Sequence, residues 1–503
     1  MQKFELKTYI NKMHDLGIIK DQNVSSENQI KLIDCVSYDN RNLFGNSLFV
    51  CKGANFKDEY AAAACENGAV AYVSEHKIAG LENCIEVNDI RAAIICIANI
   101  FYNNAAENLS LVGITGTKGK SSITFMLQGI LDKYLASINK PNCAIVSSID
   151  TYDGVQKFES HITTPEVFEL HEHFKNAVDS GISHLVMECS SQALKYGRLD
   201  GINFDVVCYN NFGKDHISSI EHNSIQDYFE SKLKVFDHAK FACVNSNMDC
   251  FDEVMAKAKQ NCDVTTYGIN ENDNIYCTNV ELCGSHSKFH VKTNNFDVDI
   301  KLGIAGDFNI ENALAAIAIS ECLGVPEQYI VQGLDHVNVP GRMKIVTSAN
   351  KNISVIVDYA HNEMSFRALF ESINSEYPDS KIISIFGCPG NKAFDRRVDL
   401  PRIASEFSDN IIICEEDSGP EPFESISNDI VKNISIKNYE VIKDRDAALK
   451  HAIFDLANEN TVIAFTGKGE ETRLKRGNNY DPCESDLALA EKYIEQYDKS
   501  VGN

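Results

Sequence analysis

No apolar run in this chain approaches the ~20 residues needed to span a bilayer. No Cys-x-x-Cys pair occurs among its 17 cysteines, and positive charge is scarce: 47 Lys and Arg stand against 72 Asp and Glu, a formal net charge of −25. The first absence excludes a helical membrane span. The second removes the zinc-ribbon and disulfide-framework classes and leaves thiols expected to be buried in a reducing compartment. The third argues against a general binder of nucleic acid or anionic lipid, because the long-range field repels both. Met1 to Lys20 mixes charged with apolar residues and lacks a signal-peptide core. Internal repeats, low-complexity tracts and heptads are also missing. The expectation is a cytoplasmic protein with no membrane insertion and no nucleic-acid partner.

What remains is the composition of an ordinary globular chain, 44% hydrophobic and 24% charged, and 503 residues are enough for roughly three domains. The organising stretch is Leu111-Val112-Gly113-Ile114-Thr115-Gly116-Thr117-Lys118-Gly119-Lys120-Ser121-Ser122. It reads as an apolar strand, a glycine-punctuated loop and the start of a helix carrying Ile123, Phe125, Met126, Ile130 and Leu131. Glycines let backbone N–H groups converge on one point, and a helix N-terminus adds partial positive charge there. Lys120 supplies a full charge for the outer phosphates, and the Ser121 hydroxyl suits the accompanying magnesium. The strict nucleotide-loop pattern wants Gly where Ile114 stands, but Gly-Thr-x-Gly-Lys-Ser in strand–loop–helix context identifies a nucleotide phosphate site.

Residues 1 to about 105 read as a small α/β unit: an alanine-rich helix at Tyr60 to Glu66, a buried strand at Gly68 to Val73, a helix at Arg91 to Tyr102. From 106 to 340 strands and helices alternate, as a mostly parallel sheet requires. His184 to Glu188, Phe204 to Asn210 and Phe241 to Asn245 are apolar in the body and polar at the C-terminal end. In an open α/β sheet that end is the ligand crevice, so Glu188, Asn210 and Asn211 are aimed at the nucleotide. Residues 270–305 are expected to be a β-rich excursion and Asp307 to Ile319 a helix. Val339-Pro340-Gly341-Arg342 suits a domain junction. Beyond it, strands at Val355–Asp358, Ile382–Phe386, Ile411–Cys414 and Val462–Phe465 predict a second doubly wound unit over 341–503.

Glu188, at a sheet edge next to a phosphate loop, suits a magnesium ligand; the same position also suits a helix-capping acid. His216 reads either as a second metal ligand or as a turn histidine. Lys232, on a helix beside apolar residues, reads by spacing as a snorkelling surface lysine. His171-Glu172-His173 lacks metal-pair spacing and reads as a solvated helix face.

Taken together, these motifs resemble the Mur ligase family, the ATP-dependent amide-forming enzymes of peptidoglycan precursor synthesis. The similarity runs nearly end to end. It is carried by Tyr38-Asp39-Asn40-Arg41, Gly116–Ser121, Thr163-Thr164-Pro165, Met187-Glu188-Cys189-Ser190-Ser191-Gln192-Ala193-Leu194, Asp215-His216, Lys232, Gly306–Leu314, Pro340-Gly341-Arg342, Asp358-Tyr359-Ala360-His361, Gly387-Cys388-Pro389-Gly390 and Gly467-Lys468-Gly469-Glu470. The resemblance implies an α/β, three-domain architecture. Residues 1–105 would bind the UDP-linked substrate, 106–340 would be a P-loop parallel-sheet ATPase, and 341–503 a Rossmann-like domain for the incoming amino acid. It is strongest to the branch that adds the third stem-peptide residue to UDP-N-acetylmuramoyl-L-alanyl-D-glutamate.

The family implies ATP contacts from Gly116, Thr117, Lys118, Gly119, Lys120, Ser121 and Ser122. It also implies adenine contacts from Asn309 and Asn312, a ribose contact from Asp358, and Arg342 near the nucleotide. Catalysis would fall to Lys120, Glu188, His216 and Lys232, with Mg2+ held by Ser121, Glu188, His216 and a carbamylated Lys232, which overturns the surface-lysine reading. Asn40, Arg41, Thr163, Thr164, Ser190 and Arg198 would contact the UDP-MurNAc-dipeptide. A monomer is expected.

The chain departs from the family at several points. Where diaminopimelate-adding members carry Asp-Asn-Pro-Arg, this sequence has Glu416-Asp417-Ser418-Gly419. The arginine is missing and acids crowd the site, which suits a cationic side chain such as L-lysine and repels a second carboxylate. Lys392 replaces an arginine, so Arg396 or Arg397 is a candidate for the α-carboxylate, and Glu470 for the incoming amino group. Gln192 stands where the family has histidine. The competing expectations are a MurF-like or folylpolyglutamate-type ligase, or a nucleotide-binding paralogue without catalysis.

Overall fold

The computed structural model describes residues 2–53, 56–160, 162–215, 217 and 221–502. Contacts divide the chain into two units. Met1–Gly113, Leu135–Val207 and Lys234–Lys240 make the first; Ile114–Tyr134, Cys208–Leu233 and Phe241–Asn503 make the second.

The first unit contains a five-stranded sheet in the order Ile19–Gln22, Cys84–Val87, Ala69–Ser74, Ser47–Val50, Cys35–Ser37. All pairs are parallel except the first, an edge strand laid antiparallel with Ile19 opposite Val87. The inner strands are buried almost throughout, as the continuous apolar runs of a covered parallel sheet require. Helix Ile90–Phe101 covers the sheet with Ile94, Ile97, Ala98 and Phe101, and Asp89 caps it by accepting from Arg91 N and Ala92 N. A second group of strands pairs His184–Glu188 parallel with Ala144–Val146, followed antiparallel by Asp150–Tyr152 and Lys157–Glu159.

Helix Val167–Asp179 joins the N-terminal core through Val167 and Phe168, and the Tyr38 ring stacks on Phe168 at 4.4 Å. This helix corrects the reading of His171 and His173 as a solvated face. Both are buried, at 1% and 2% exposure. His173 Nδ1 lies 2.7 Å from Asp153 Oδ2, while His171 packs against the Tyr102 and Phe174 rings. Burial holds His171 down at about 4, so it enters the core as a neutral ring. A helix clamped between two packed surfaces buries more than one stripe, and charge pattern alone does not reveal this.

In the second unit strand Ala239–Asn245, from Phe241 onward, pairs in parallel with Asp263–Gly268 and that strand with Ile275–Leu282, and Ser287–Lys292 and Asp297–Leu302 follow antiparallel. The expected β-rich stretch is therefore present, but it continues the sheet rather than leaving it. Helix Phe308–Cys322 is buried from Asn312 to Ser320, the signature of a helix covered on most of its faces. The C-terminal stretch builds a six-stranded sheet in the order Lys344–Thr347, Ile353–Asp358, Thr461–Thr466, Lys381–Phe386, Asn410–Ile413, Tyr439–Val441. Only its first pair is antiparallel. A hairpin, Arg473–Arg476 with Asn479–Pro482, stands apart from it. The four strands expected beyond residue 341 are all present. No helix among the described residues is long and apolar enough to cross a membrane.

Candidate active site

The glycine loop lies between strand Ser110–Thr115 and helix Lys120–Ser137. Gly116 and Gly119 hold φ of +152° and +83°, which an L side chain resists. A Cβ at Gly119 would fall 2.2 Å from Asn312 Oδ1 and 2.5 Å from Asn210 Nδ2, so only glycine fits there. The segment after strand Phe204–Tyr209 clasps the loop: Thr117 N donates to Asn211 O (3.1 Å) and Lys118 N to Asn211 Oδ1 (2.8 Å). Gly213 N and Tyr228 Oη both donate to Thr117 Oγ1, at 3.0 and 3.2 Å. Lys120 Nζ folds back on Gly116 O (2.9 Å) and Thr117 O (3.3 Å). The side chain expected at the outer phosphates thus already spans the mouth of its own loop. Lys118 is pushed down to about 8 by burial and by the nearby Lys120 and Arg396 charges, with Asp215 opposing.

Lys232 overturns the reading that spacing alone favoured. It is 1% exposed, its Nζ donates to Gly116 O at 2.9 Å, and it stands 4.8 Å from the Tyr228 ring centre. A snorkelling lysine keeps its ammonium in water; this one delivers it to the phosphate loop. Asn309 and Asn312, at the polar start of helix Phe308–Cys322, are also buried. They form a chain of amides: Asn312 Nδ2 donates to Asn309 Oδ1 (3.1 Å), and Asn210 Nδ2 donates to Asn312 Oδ1 (3.1 Å). Asn210 Nδ2 also reaches Lys118 O at 3.2 Å.

Asp358, at the end of strand Ile353–Asp358, accepts from Met343 N (2.9 Å) and Ala360 N (2.8 Å). Burial raises it, with Arg342 opposing, and Arg342 itself lies over the Tyr359 ring at 4.9 Å.

Beyond the end of strand Asn410–Ile413, separated from Ile353–Asp358 by two strands of the same sheet, Glu415, Glu416 and Asp417 have separate fates. Glu415 is taken by Arg476, whose Nη2 lies 2.7 Å from Oε2. Asp417 Oδ1 accepts from Lys468 Nζ (3.0 Å) and Lys475 N (2.9 Å), and Lys468 also pairs with Glu471. Glu416 is 8% exposed, and among the described residues it makes no salt bridge or side-chain hydrogen bond. Burial pushes its carboxyl up to about 7 against the pull of Arg396 and Lys468. The two candidate arginines separate as cleanly. Arg397 is buried and locked onto Glu421, Asp429 and Pro389 O, while Arg396 stands 3.7 Å from Asp215 Oδ1 with its charge opposing the rise at Glu416. Lys392 is exposed in a loop whose Asn391 and Ala393 both have positive φ, and Glu470 accepts from Gly341 N at 2.8 Å.

The first unit gathers Thr164, Glu188, Ser190 and Arg198. Glu188 carboxylate accepts from Ser148 N (2.9 Å) and Oγ (3.2 Å). The helix Ser191–Lys195 is capped by Ser190, which accepts from Ala193 N, so Glu188 is not the capping acid. Thr164 Oγ1 donates to Glu188 O (2.7 Å) and accepts from Ser190 N (3.0 Å). Arg198 Nη1 donates to Thr164 O (3.1 Å), and its Nη2 pairs with Glu166 Oε1 at 2.6 Å. Thr163 is half-buried alongside. Asn40 and Arg41 lie in a turn where Arg41, with a side chain 83% exposed, is bidentate to Asp39. His216 lies outside the described residues. Sequence reading gave no role to Ser148, Lys468 or Arg476; the first carries a signal, being the second of two serines that follow strand Ala144–Val146.

The donors fit the groups expected here. Loop amides and Lys120 suit phosphate, and the Ser121 hydroxyl beside them is an oxygen donor of the kind a hard cation such as Mg2+ takes; in the first unit the Glu188 carboxylate is a donor of the same kind. Among the described residues no group of three or more His, Cys, Asp or Glu forms a metal cage.

Comparison with known proteins agrees with this geometry. Residues 114–320 match the Mur ligase middle domain, and residues 341–469 match the Mur ligase glutamate ligase domain. The UDP-N-acetylmuramoyl-L-alanyl-D-glutamate–L-lysine ligase of Enterococcus faecalis is 34% identical over 472 residues, covering 92% of each chain. The corresponding 2,6-diaminopimelate ligase of Clostridium botulinum is 33% identical over 450 residues, covering 88% of this chain and 91% of its own. A solved structure of a UDP-N-acetylmuramoyl-L-alanyl-D-glutamate–2,6-diaminopimelate ligase superposes with a TM-score of 0.69 at 20% identity, over 99% of both chains. Domain matches across most of the chain, and end-to-end relatives above 30% identity, make this chain a member of the Mur ligase family.

Proposed function

We propose that the chain is a MurE-type ligase. It adds the third stem-peptide amino acid, L-lysine or a similar diamine, to UDP-N-acetylmuramoyl-L-alanyl-D-glutamate and releases ADP and phosphate. The observation that carries this is the pairing, within one unit, of a glycine-cradled phosphate loop with a buried strand-end carboxylate, Glu416, and Arg396 between them. The domains are proposed as 1–105 for the UDP-linked substrate, 106–340 for ATP and 341–503 for the amino acid. The enzyme is proposed to act as a cytoplasmic monomer.

Transfer of the γ-phosphoryl group to the terminal D-glutamate carboxylate makes an acyl phosphate, a leaving group good enough for amide formation. Loop amides from Gly116 to Ser122 hold the phosphates, and Lys120 swings from the loop carbonyls onto the outer phosphate, neutralising charge as it moves. Mg2+, proposed on Ser121, Glu188 and His216, supplies further charge neutralisation when bound. Lys232 is proposed to be carbamylated, which would turn its buried ammonium into an anion on the metal side of the loop. Asn309, Asn312, Arg342 and Asp358 are proposed for the nucleoside. Asn40, Arg41, Thr163, Thr164, Ser190 and Arg198 are proposed for the UDP-linked dipeptide, Thr164 and Ser190 through a wall they share with Glu188. Arg396 takes the α-carboxylate of the incoming amino acid, with Lys392 at the rim, because Arg397 is already consumed by Glu421 and Asp429. Glu416, Asp417 and Glu470 face the amino groups. The neutral amine attacks the acyl carbon and phosphate leaves, in a site that must exclude water because acyl phosphates hydrolyse.

The test is phosphate release from ATP with the UDP-linked dipeptide and L-lysine, L-ornithine or meso-diaminopimelate. Turnover with lysine and none with diaminopimelate is expected. Preference for diaminopimelate would overturn the amino-acid assignment and leave the ligase. Silence with every amine, in a folded protein that binds ATP, would overturn the ligase.

A further inference from the structure

Asp215 takes no part in the chemistry above, yet its carboxylate is 7% exposed at the end of the segment that clasps the phosphate loop. Oδ2 accepts from Lys118 Nζ at 3.1 Å and from Asn362 Nδ2 at 2.9 Å, and Arg396 Nη2 lies 3.7 Å from Oδ1. One carboxylate therefore joins a loop lysine to two side chains of the 341–503 stretch. Asn362 is itself fixed from behind. It is the N-cap of helix Glu363–Glu376, and its Oδ1 accepts from Ser365 N at 3.2 Å, which leaves Nδ2 to donate forward. A second feature marks the same junction: a Cβ at Gly213 would fall 2.1 Å from Met364 Cε, on the first turn of that helix.

The geometry points to Asp215 as a positioning residue that sets the register of the amino-acid-binding stretch on the phosphate loop. Its bond to Asn362 locates the helix bearing the cap, and its bond to Lys118 makes that location depend on the conformation of the loop. The functional consequence rests on the ligase reading above. Amide formation needs the amine within about 3–3.5 Å of the acyl carbon, so a small error in register is felt as lost attack geometry rather than lost nucleotide binding.

A charge exchange tests the contact. Asn362→Asp keeps the helix cap, since Asp caps as well as Asn, but it sets two carboxylates against each other. Asp215→Asn combined with Asn362→Asp restores an amide–carboxylate pair in reverse order and returns an anion to Lys118. Two readouts are taken: the rate of tryptic cleavage after Arg342 and Lys344 in the free protein, and kcat, KM for ATP and KM for the amino acid in turnover. Asn362→Asp is expected to speed cleavage and raise the amino-acid KM, each by about tenfold, the loss of one charge-assisted hydrogen bond. The ATP KM should stay within about threefold, and the double variant should recover most of both effects. Unchanged cleavage in Asn362→Asp, or a double variant no better than the worse single, would overturn the assignment. Asn362→Ser, which also caps, gives the same reading if the aspartate variant folds poorly. Cleavage needs no turnover, so failure of the ligase reading shows as a silent wild type and is distinct from failure of this contact.

Discussion

The phosphate loop and the acid cluster at the end of strand Asn410–Ile413 belong to one unit and are built on opposite principles. Around Gly116–Ser122 the fixed partners are mostly backbone groups and neutral amides, Asn210, Asn211, Asn309 and Asn312, satisfied in series. Around Glu415–Gly419 they are ion pairs, Glu415 with Arg476 and Asp417 with Lys468, with Glu416 left over. A cradle tied mainly by backbone and amide hydrogen bonds admits little substitution, because a change there orphans a buried group. An ion-paired pocket can change its charge balance one side chain at a time. The first suits a reactant common to a whole family, and the second suits a reactant that differs between branches.

If that contrast holds, damage to the cradle should be catastrophic and damage to the acid cluster graded. Lys120→Ala should cut phosphate release by roughly 10³-fold while thermal unfolding stays near wild type; near-normal turnover would break the comparison at once. The arginine pair sharpens it next. Arg397→Ala should lower stability by about 1–3 kcal/mol in chemical denaturation, because it removes a buried guanidinium that ties Glu421, Asp429 and Pro389 O together. Arg396→Ala should leave stability nearly unchanged and raise the amino-acid KM. Equal losses of stability in both variants would refute the division of labour between them.

Glu416→Gln should raise the KM for a diamine by about tenfold to a hundredfold. Because burial holds the Glu416 carboxyl at about 7, affinity of the wild type for a cationic amino acid should rise from pH 6 to pH 8, and the variant should lose that slope. Stability runs the other way. The folded value stands above the ordinary 4.5, so ionisation costs stability as pH rises from 4.5 through 7, and the glutamine variant should melt higher than wild type at pH 8. The smallest effect is expected at Gly419, whose φ of +55° costs a side chain about 1–2 kcal/mol but where an added Cβ meets only Gly477 O at 3.9 Å. Gly419→Arg should be modestly less stable and should gain measurable turnover with diaminopimelate.

The same contrast explains what could be read before the structure. Strand–loop–helix order, the polar strand ends at Glu188 and Asn210, and the second α/β unit follow from periodicity and glycine placement, which are local. The burial of Lys232, His171 and His173 is set by what packs on their helices, and spacing pointed the wrong way for all three. The sharing of three adjacent acids among Arg476, Lys468 and no partner depends on residues about fifty positions downstream, so composition showed an acidic pocket but not which acid stays available.

One of those downstream partners, Arg476, belongs to a small separate element. The hairpin Arg473–Pro482 fastens itself to the acid loop through Gly419 N to Lys475 O (2.9 Å), Gly477 N to Gly419 O (2.6 Å) and Arg476 to Glu415. It contributes no strand to either large sheet. The acid loop is therefore held in place from outside both large sheets, by a strap that could be replaced without moving a single strand.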